Sequence, residues 1–328
     1  MIQAVVGVDL GGTSIVVGVV PSDGGAVWGL ASQSTPLTGG PTAIIAQIAQ
    51  MVNESVRMAN RTSGATRLDV RGIGIGAPGP LDTNRGIVLF APNLNWRDVP
   101  LRDEVARATG LPAALENDAN CATLGEWWRG AARDGRFVVG ITVGTGIGGG
   151  IVLDGRLYHG AADVAGEIGH TTIAYAGRRC ACGNYGCLEA YASGPAIAAR
   201  AREALDAGTA SSIETYVGGD RSAVTAATVY QAANDGDPLA LEVVTDTARY
   251  LGTGIANIVN VLNPDLVVVQ GGVTLAGDRL LAPLRAEVSR RAFRPAVNAC
   301  RIVPGTLTGT AGVYGAAAAF RLLHDGTL

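Results

Sequence analysis

The feature that most constrains the fold is a pattern written twice. Residues 5–20 read VVGVDLGGTSIVVGVV: an apolar strand, a glycine turn and a second apolar strand. Residues 138–153, VVGITVGTGIGGGIVL, follow the same plan. At one constant offset Val5-Val6-Gly7 falls on Val138-Val139-Gly140 and Gly11 on Gly144, while Thr142 stands in the place of Asp9. Valine- and isoleucine-rich runs joined by glycine turns predict β-hairpins. Two of them, one opening each half of the chain, predict a duplicated, two-lobed architecture.

Strand and helix signals alternate elsewhere. Residues 43–59 are patterned as a helix, 70–76 (VRGIGIG) as a strand ended by Ala77-Pro78-Gly79-Pro80, and 112–115 as a short strand leading to Glu116-Asn117-Asp118. Helices are expected over 119–133, 193–207, 225–234, 238–262 and 311–323, a loop over 208–222, and a buried strand over 266–270 stopped by Gly271-Gly272. This predicts an α/β chain with a largely buried sheet. At 328 residues, 48% hydrophobic and 16% charged, the chain is long enough for a sizeable core and two domains.

Charge and composition exclude several functions. A net charge of −3 argues against nucleic acid as the main partner, since neutralising phosphates takes a basic surface. All 25 cationic residues are arginine, which rules out a GxxxxGK P-loop and a lysine Schiff base. The apolar start is broken by Asp9 with no basic stretch before it, unlike a secretory signal. No uncharged apolar run approaches ~20 residues, so no membrane span is expected. The close spacing of Cys180, Cys182 and Cys187 suits a metal better than disulfides and points to a reducing, cytoplasmic setting. Cys121 and Cys300 read as ordinary buried thiols.

His170 completes a Cys3His set with Cys180, Cys182 and Cys187, the ligand count of a closed structural zinc site. Glu167 and Glu189 flank it. Asp9-Leu10-Gly11-Gly12-Thr13 puts a carboxylate at a strand end, then glycines that admit an anion to backbone N–H groups, then a hydroxyl. Asp9 would hold Mg2+ through water or orient a phosphate; the same residues also make a plain hairpin turn. Residues 144–150 carry five glycines in seven, more than a structural hairpin needs, and imply close approach by phosphates. Strand residues follow, so this is not a dinucleotide fingerprint. Gly271-Gly272 suits either a nucleotide base lying on backbone or a helix-opening turn. Asn117 and Asp118 open a helix, where both are favoured caps. Alternatively Asp118 takes the proton of an attacking hydroxyl while Asn117 holds its neighbours.

Together these pieces resemble the ROK family of sugar kinases and sugar-responsive repressors, over essentially the whole chain. The family signature runs from Val143 through Gly146, Gly148, Gly160 and Gly166 to Gly169-His170, and residues 180–189 look like its CxCGxxGCxE zinc motif. The resemblance implies an actin/hexokinase-like, ribonuclease H-like ATPase fold. Its smaller lobe would comprise residues 1–118 plus about 311–328, and its larger lobe 119–310 with a structural Zn2+ loop. It implies a homodimer or homotetramer that phosphorylates a hexose, most closely glucose, at its 6-hydroxyl, with ATP and Mg2+. Asp9, Gly11, Gly12 and Thr13 look like the first phosphate motif, Gly144, Thr145 and Gly146 the second, and Gly271 and Gly272 the adenosine turn. Asp118 matches the catalytic base; Asn117, Asp118, Glu167, His170 and Glu189, with Gly79 and Asn93, match sugar contacts. His170 matches a residue that ligates zinc through one ring nitrogen and faces sugar with the other. Other sugars (fructose, mannose, allose, N-acetylmannosamine) and polyphosphate as donor remain alternatives within the family. Family repressors carry a helix-turn-helix before the first phosphate motif, whereas eight residues precede Asp9 here; the expectation is therefore a kinase.

Overall fold

The computed structural model describes residues 1–62, 64 and 68–328. β1 (Ile2–Leu10) and β2 (Ser14–Pro21) form the first hairpin, with Leu10 opposite Ile15 and Gly7 opposite Gly18. β3 (Trp28–Ser34) adds antiparallel to β2. After α1 (Gly40–Thr62), β4 (Leu68–Ala77) pairs parallel with the other edge of β1. A small antiparallel sheet of β5 (Leu81–Asp82), β6 (Ile87–Ala91) and β7 (Trp96–Val99) leads to α2 (Leu101–Thr109). β8 (Ala113–Asn117) then pairs parallel with β4, and α3 (Asp118–Arg129) follows at once. The main sheet has the order β3-β2-β1-β4-β8.

The second half repeats this. β9 (Phe137–Val143), β10 (Ile147–Leu153) and β11 (Arg156–Leu157) come first. The helices α4 (Glu189–Ala192), α5 (Gly194–Asp206), α6 (Ile213–Tyr216), α7 (Ala226–Asn234) and α8 (Pro238–Leu262) come next. β12 (Leu266–Gln270), α9 (Asp278–Arg291), α10 (Arg294–Ala299), β13 (Arg301–Pro304) and α11 (Ala311–Asp325) complete the chain. The order β11-β10-β9-β12-β13, with β12 parallel to both β9 and β13, is the plan of the first sheet again. The sequence repeat is thus a repeat of topology. It also puts equivalent strand ends together: Asp9 of β1 lies opposite Gly76 of β4, and Thr142 of β9 opposite Gln270 of β12.

The chain divides into two compact units. One is Met1–Gly135 with Gly150–Gly166 and Thr306–Leu328; the other is Arg136–Gly149 with Glu167–Gly305. In the first, Val6, Val8, Ile15, Ile44, Ile48, Ile73, Ile75 and Trp96 fill one continuous core. In the second, Val139, Ile141, Val267, Val268, Leu251 and Ile255 are fully buried. Helix α3 and residues 150–166 belong to the first unit, which therefore runs past the boundary at 118 expected from sequence. The reason is close packing around α11. A Cβ on Gly125 of α3 would lie 2.1 Å from the Ala311 carbonyl oxygen, and one on Gly74 of β4 only 1.7 Å from that of Ala316. Backbones this close leave room for hydrogen alone, which is why these elements are rich in glycine and alanine.

Candidate active site

Four segments of the first unit carry the residues singled out above. Gly11 N–H donates to the Ser14 carbonyl at 2.9 Å, closing the β1–β2 turn, and Thr35 Oγ1 donates to the Gly11 carbonyl at 2.7 Å. A Cβ on Gly12 would meet Cβ of Asn93 at 3.0 Å, so Asn93, on a 3-10 turn (Pro92–Leu94), sits against this turn. Thr13 is exposed. Asp9 ends β1 with its carboxylate against Gly312, in the first turn of α11. Burial pushes that carboxyl up to about 6.

The turn from β8 into α3 is built around Asn117. Its Oδ1 accepts from the backbone N–H groups of Ala119 and Asn120 at 2.9 and 3.1 Å, satisfying two of the helix's first donors. Its Nδ2 reaches the Gly79 carbonyl at 3.5 Å, so Asn117 and Gly79 are neighbours. Asp118, at the first helical position, accepts from Ala119 N–H at 2.8 Å and is only partly buried. Asn117 is thus the cap, and Asp118 carries its carboxylate in the first turn of α3. Glu116 and His159, which sequence reasoning passed over, join this turn through a 2.7 Å contact.

In the second unit the glycine turns meet at a cavity of about 690 Å³. Gly144, Thr145 and Gly272 line it, with Arg202 of α5 and Tyr230, Gln231 and Asn234 from α7. Gly194 N–H donates to the Gly144 carbonyl at 2.8 Å, fixing the β9–β10 turn to the start of α5. Gly271 has φ +92°, and a Cβ there would lie 2.2 Å from the Val143 carbonyl oxygen, so the turn after β12 abuts the end of β9. Arg202, tied to the Val224 carbonyl at 3.2 Å, is a cation at the cavity that no local sequence pattern marks.

The zinc residues also converge. The ligand atoms of His170, Cys180, Cys182 and Cys187 all lie within 4.8 Å of one another. Cys182 Sγ and Cys187 Sγ are 3.8 Å apart, as are Cys180 Sγ and His170 Nδ1. A tetrahedron with Zn–S bonds of about 2.3 Å has edges of about 3.8 Å, so the donor set fits zinc. Backbone N–H of Asn184 holds the Cys182 thiol below its usual range, while burial pushes Cys180 up to about 12. His170 turns Nδ1 toward the sulfurs, and its Nε2 lies 3.9 Å from Glu167. Glu189 opens α4; its Oε2 accepts from Ile147 N–H at 2.8 Å and its Oε1 is 3.8 Å from Cys180 Sγ. The glutamate beside the metal loop is therefore anchored on the start of β10, directly after the 144–146 turn.

Glycine turns on equivalent hairpins, an aspartate at a helix start and a zinc-competent loop are the parts that a phosphotransferase of the sugar-kinase class would use. The sequence profile of the ROK family matches residues 5–322, and the chain belongs to that family. It is 40% identical over 316 residues to a glucokinase of Halalkalibacterium halodurans, spanning 94% of this chain and 92% of that one. It is 39% identical over 261 residues to a putative xylose repressor of Caldicellulosiruptor sp., spanning 79% of this chain and 65% of that one. A ROK family glucokinase from Streptomyces griseus, solved in complex with glucose and AMPPNP, shares the fold with a TM-score of 0.83 at 35% identity. That match covers 96% of this chain and 98% of the other. Among the described residues, no helix is long and apolar enough to cross a membrane.

Proposed function

We propose that this chain is a glucokinase, transferring the γ-phosphoryl group of ATP to the 6-hydroxyl of glucose. The observation that carries the reading is the β8–α3 turn: Asn117 makes the cap, and the next residue, Asp118, carries a partly buried carboxylate in the first turn of the helix. Asp118 accepts the hydroxyl proton as the oxygen attacks phosphorus and the bond to the ADP oxygen breaks. Asn117 and Asn93, and on the second unit Glu167, His170 and Glu189, hold the sugar's other hydroxyls. Glu189 keeps acceptor capacity for this beyond its bond to Ile147 N–H, since an ionised carboxylate offers about four lone-pair sites.

The cavity of the second unit takes the adenosine, with Gly271 and Gly272 under it and Arg202 beside the phosphates. Gly11 and Gly144 N–H bond within their own turns, to the Ser14 and Gly146 carbonyls, so the other backbone N–H groups of the two turns would be the ones to meet the transferring charge in a chain without lysine. Asp9, a recessed carboxylate held up at about 6, fits a cation, and Mg2+ there would neutralise phosphate charge. Zinc on His170, Cys180, Cys182 and Cys187 would staple the loop and fix the imidazole so that Nε2 faces substrate. A site built this way rejects sugars that leave its buried polar groups unpaired.

A coupled ADP-release assay over a hexose panel, with ATP and polyphosphate as alternative donors, tests the reading. Glucose with ATP is expected to give the highest kcat/KM, and Asp118→Asn to bind glucose while losing turnover by about two to four orders of magnitude. A different best sugar, polyphosphate preferred over ATP, or near-normal turnover of Asp118→Asn would each overturn the part it addresses.

A further inference from the structure

Glu116 is 6% exposed at the end of β8, one residue before Asn117. Its Oε1 accepts from Asn117 N–H at 2.8 Å and from Asn120 Nδ2 at 2.9 Å. One carboxylate oxygen thus ties the last residue of the strand to the first turn of α3, on either side of Asp118. The other oxygen, Oε2, lies 2.7 Å from His159 Nε2. His159 follows β11 on the stretch Gly150–Gly166, and that stretch is pinned a second time: Thr83 donates from N and Oγ1 to Asp163 Oδ2 at 3.0 and 2.8 Å.

The surroundings are acidic. Besides burial, Glu116, Asp9 and Asp118 all push up the thiol of Cys121, which therefore has three carboxylates around it. Glu116 and Asp163 are the charged groups acting on His159; the bond to Glu116 raises its pKa above the ordinary histidine range, and burial opposes this. The chain has no lysine, and the His159 imidazole set against the Glu116 carboxylate can carry a positive charge here when protonated.

We propose that His159 is a positioning residue for phosphoryl transfer: through Glu116 it fixes the strand-to-helix turn that carries Asn117 and Asp118, and it supplies the positive charge beside those carboxylates. The inference rests on Asp118 being the base. Phosphoryl transfer of this kind depends on alignment, and a displaced carboxylate costs rate more than sugar affinity.

The test uses the full chain with zinc and Mg2+, measuring kcat, glucose KM and thermal midpoint for His159→Leu, His159→Gln and Glu116→Gln between about pH 5.5 and 9. His159→Leu is expected to lower kcat about 10- to 100-fold with little change in glucose KM. His159→Gln, which keeps a donor but no charge, should recover most of the plateau. In both His159 variants the acidic limb of the kcat profile should move to higher pH, because a nearby cation has gone. Glu116→Gln, with the anion that calls for the imidazolium removed, should lower kcat without that shift of the limb. A His159→Leu enzyme with wild-type kcat and pH profile overturns the proposal, as does equal loss in both His159 variants that tracks their thermal midpoints. Asp118→Asn is run alongside. If it stays active, the base assignment fails and this inference with it; if it is dead while His159→Leu is normal, only the positioning role fails.

Discussion

Asp9 illustrates how a single side chain trades stability against a charge it has yet to meet. Its carboxyl stands at about 6, against about 3.9 for an unfolded aspartate, because burial disfavours the ionised form. A pKa raised on folding contributes stability that is whole below the unfolded value and is lost as pH rises through the folded one. At pH 7.5 the ionised Asp9 therefore costs the protein at most about 3 kcal/mol. Asp9→Asn should melt at a higher temperature than the parent at pH 7.5 without nucleotide or Mg2+, with the gap narrowing as pH falls through about 6 and closing only below about 3.9, and should lose turnover. Thermal melts of both proteins across that range check it, and a variant that is less stable at pH 7.5 would show that Asp9 is compensated in the fold. Residues of this kind were legible when their partners lay nearby in sequence, as with Asp9 and its glycines or His170 and its cysteines. Glu116 and His159 were not, because a buried carboxylate and an imidazole 43 residues apart leave no local pattern. Their meaning exists only once β8 and the 150–166 stretch are folded beside each other.

At the level of elements, chain punctuation decided what could be read. α8 and β12 match their expected limits, since Asp237 caps one end, Pro238 starts the helix, and Asn263 in the left-handed conformation stops it. α9 escaped notice because Pro283 lies inside it, and β3 because it is a polar, largely exposed strand without clean alternation. β13 is a four-residue, half-buried edge strand, too short to show a period. The stretch expected as a loop over 208–222 contains α6 and a 3-10 turn. The metal loop is the opposite case: it has almost no regular structure, yet its sequence was the plainest in the chain. Two isolated bridges, Thr172 with Cys187 and Arg179 with Tyr185, and turn bonds such as Cys180 N–H to the Asn184 carbonyl at 2.8 Å hold it in place of a strand ladder or a helix of any length. Zinc should therefore supply much of its order. Cys182→Ser is expected to fall well below one zinc per chain and to raise glucose KM about tenfold, the cost of roughly one lost hydrogen bond to a hydroxyl, with kcat less affected. Metal analysis together with kinetics tests this; unchanged zinc and unchanged KM would show that the loop is ordered without the ion.

The whole molecule is one plan used twice, and the two copies have diverged in what their turns hold. The first keeps an aspartate at the end of β1; the second has Thr142 there and instead gathers Gly144, Thr145 and Gly272 around a cavity. The repeat itself was visible in sequence, because glycine and valine positions are shared. The assignment of α3 to the first unit was not visible, since it depends on α11 returning from the far end of the chain to pack there, and residues 150–166 follow through contacts such as Gly150 with Thr123 of α3. The division of labour predicts a pattern in hydrogen exchange. The cavity proposed for adenosine is lined wholly by second-unit residues, so AMP should slow exchange at residues 143–146, 225–234 and 270–275 and leave 9–14 at their unliganded rates. A non-hydrolysable ATP analogue with Mg2+ carries the phosphates that the first turn is proposed to bind, and should add protection at 9–14. Asp9→Asn should remove that second zone while leaving the first intact, because the cavity does not include Asp9. Protection of 9–14 by AMP alone, or an analogue that leaves 143–146 exchanging freely, would mean that the two copies do not share the nucleotide in this way.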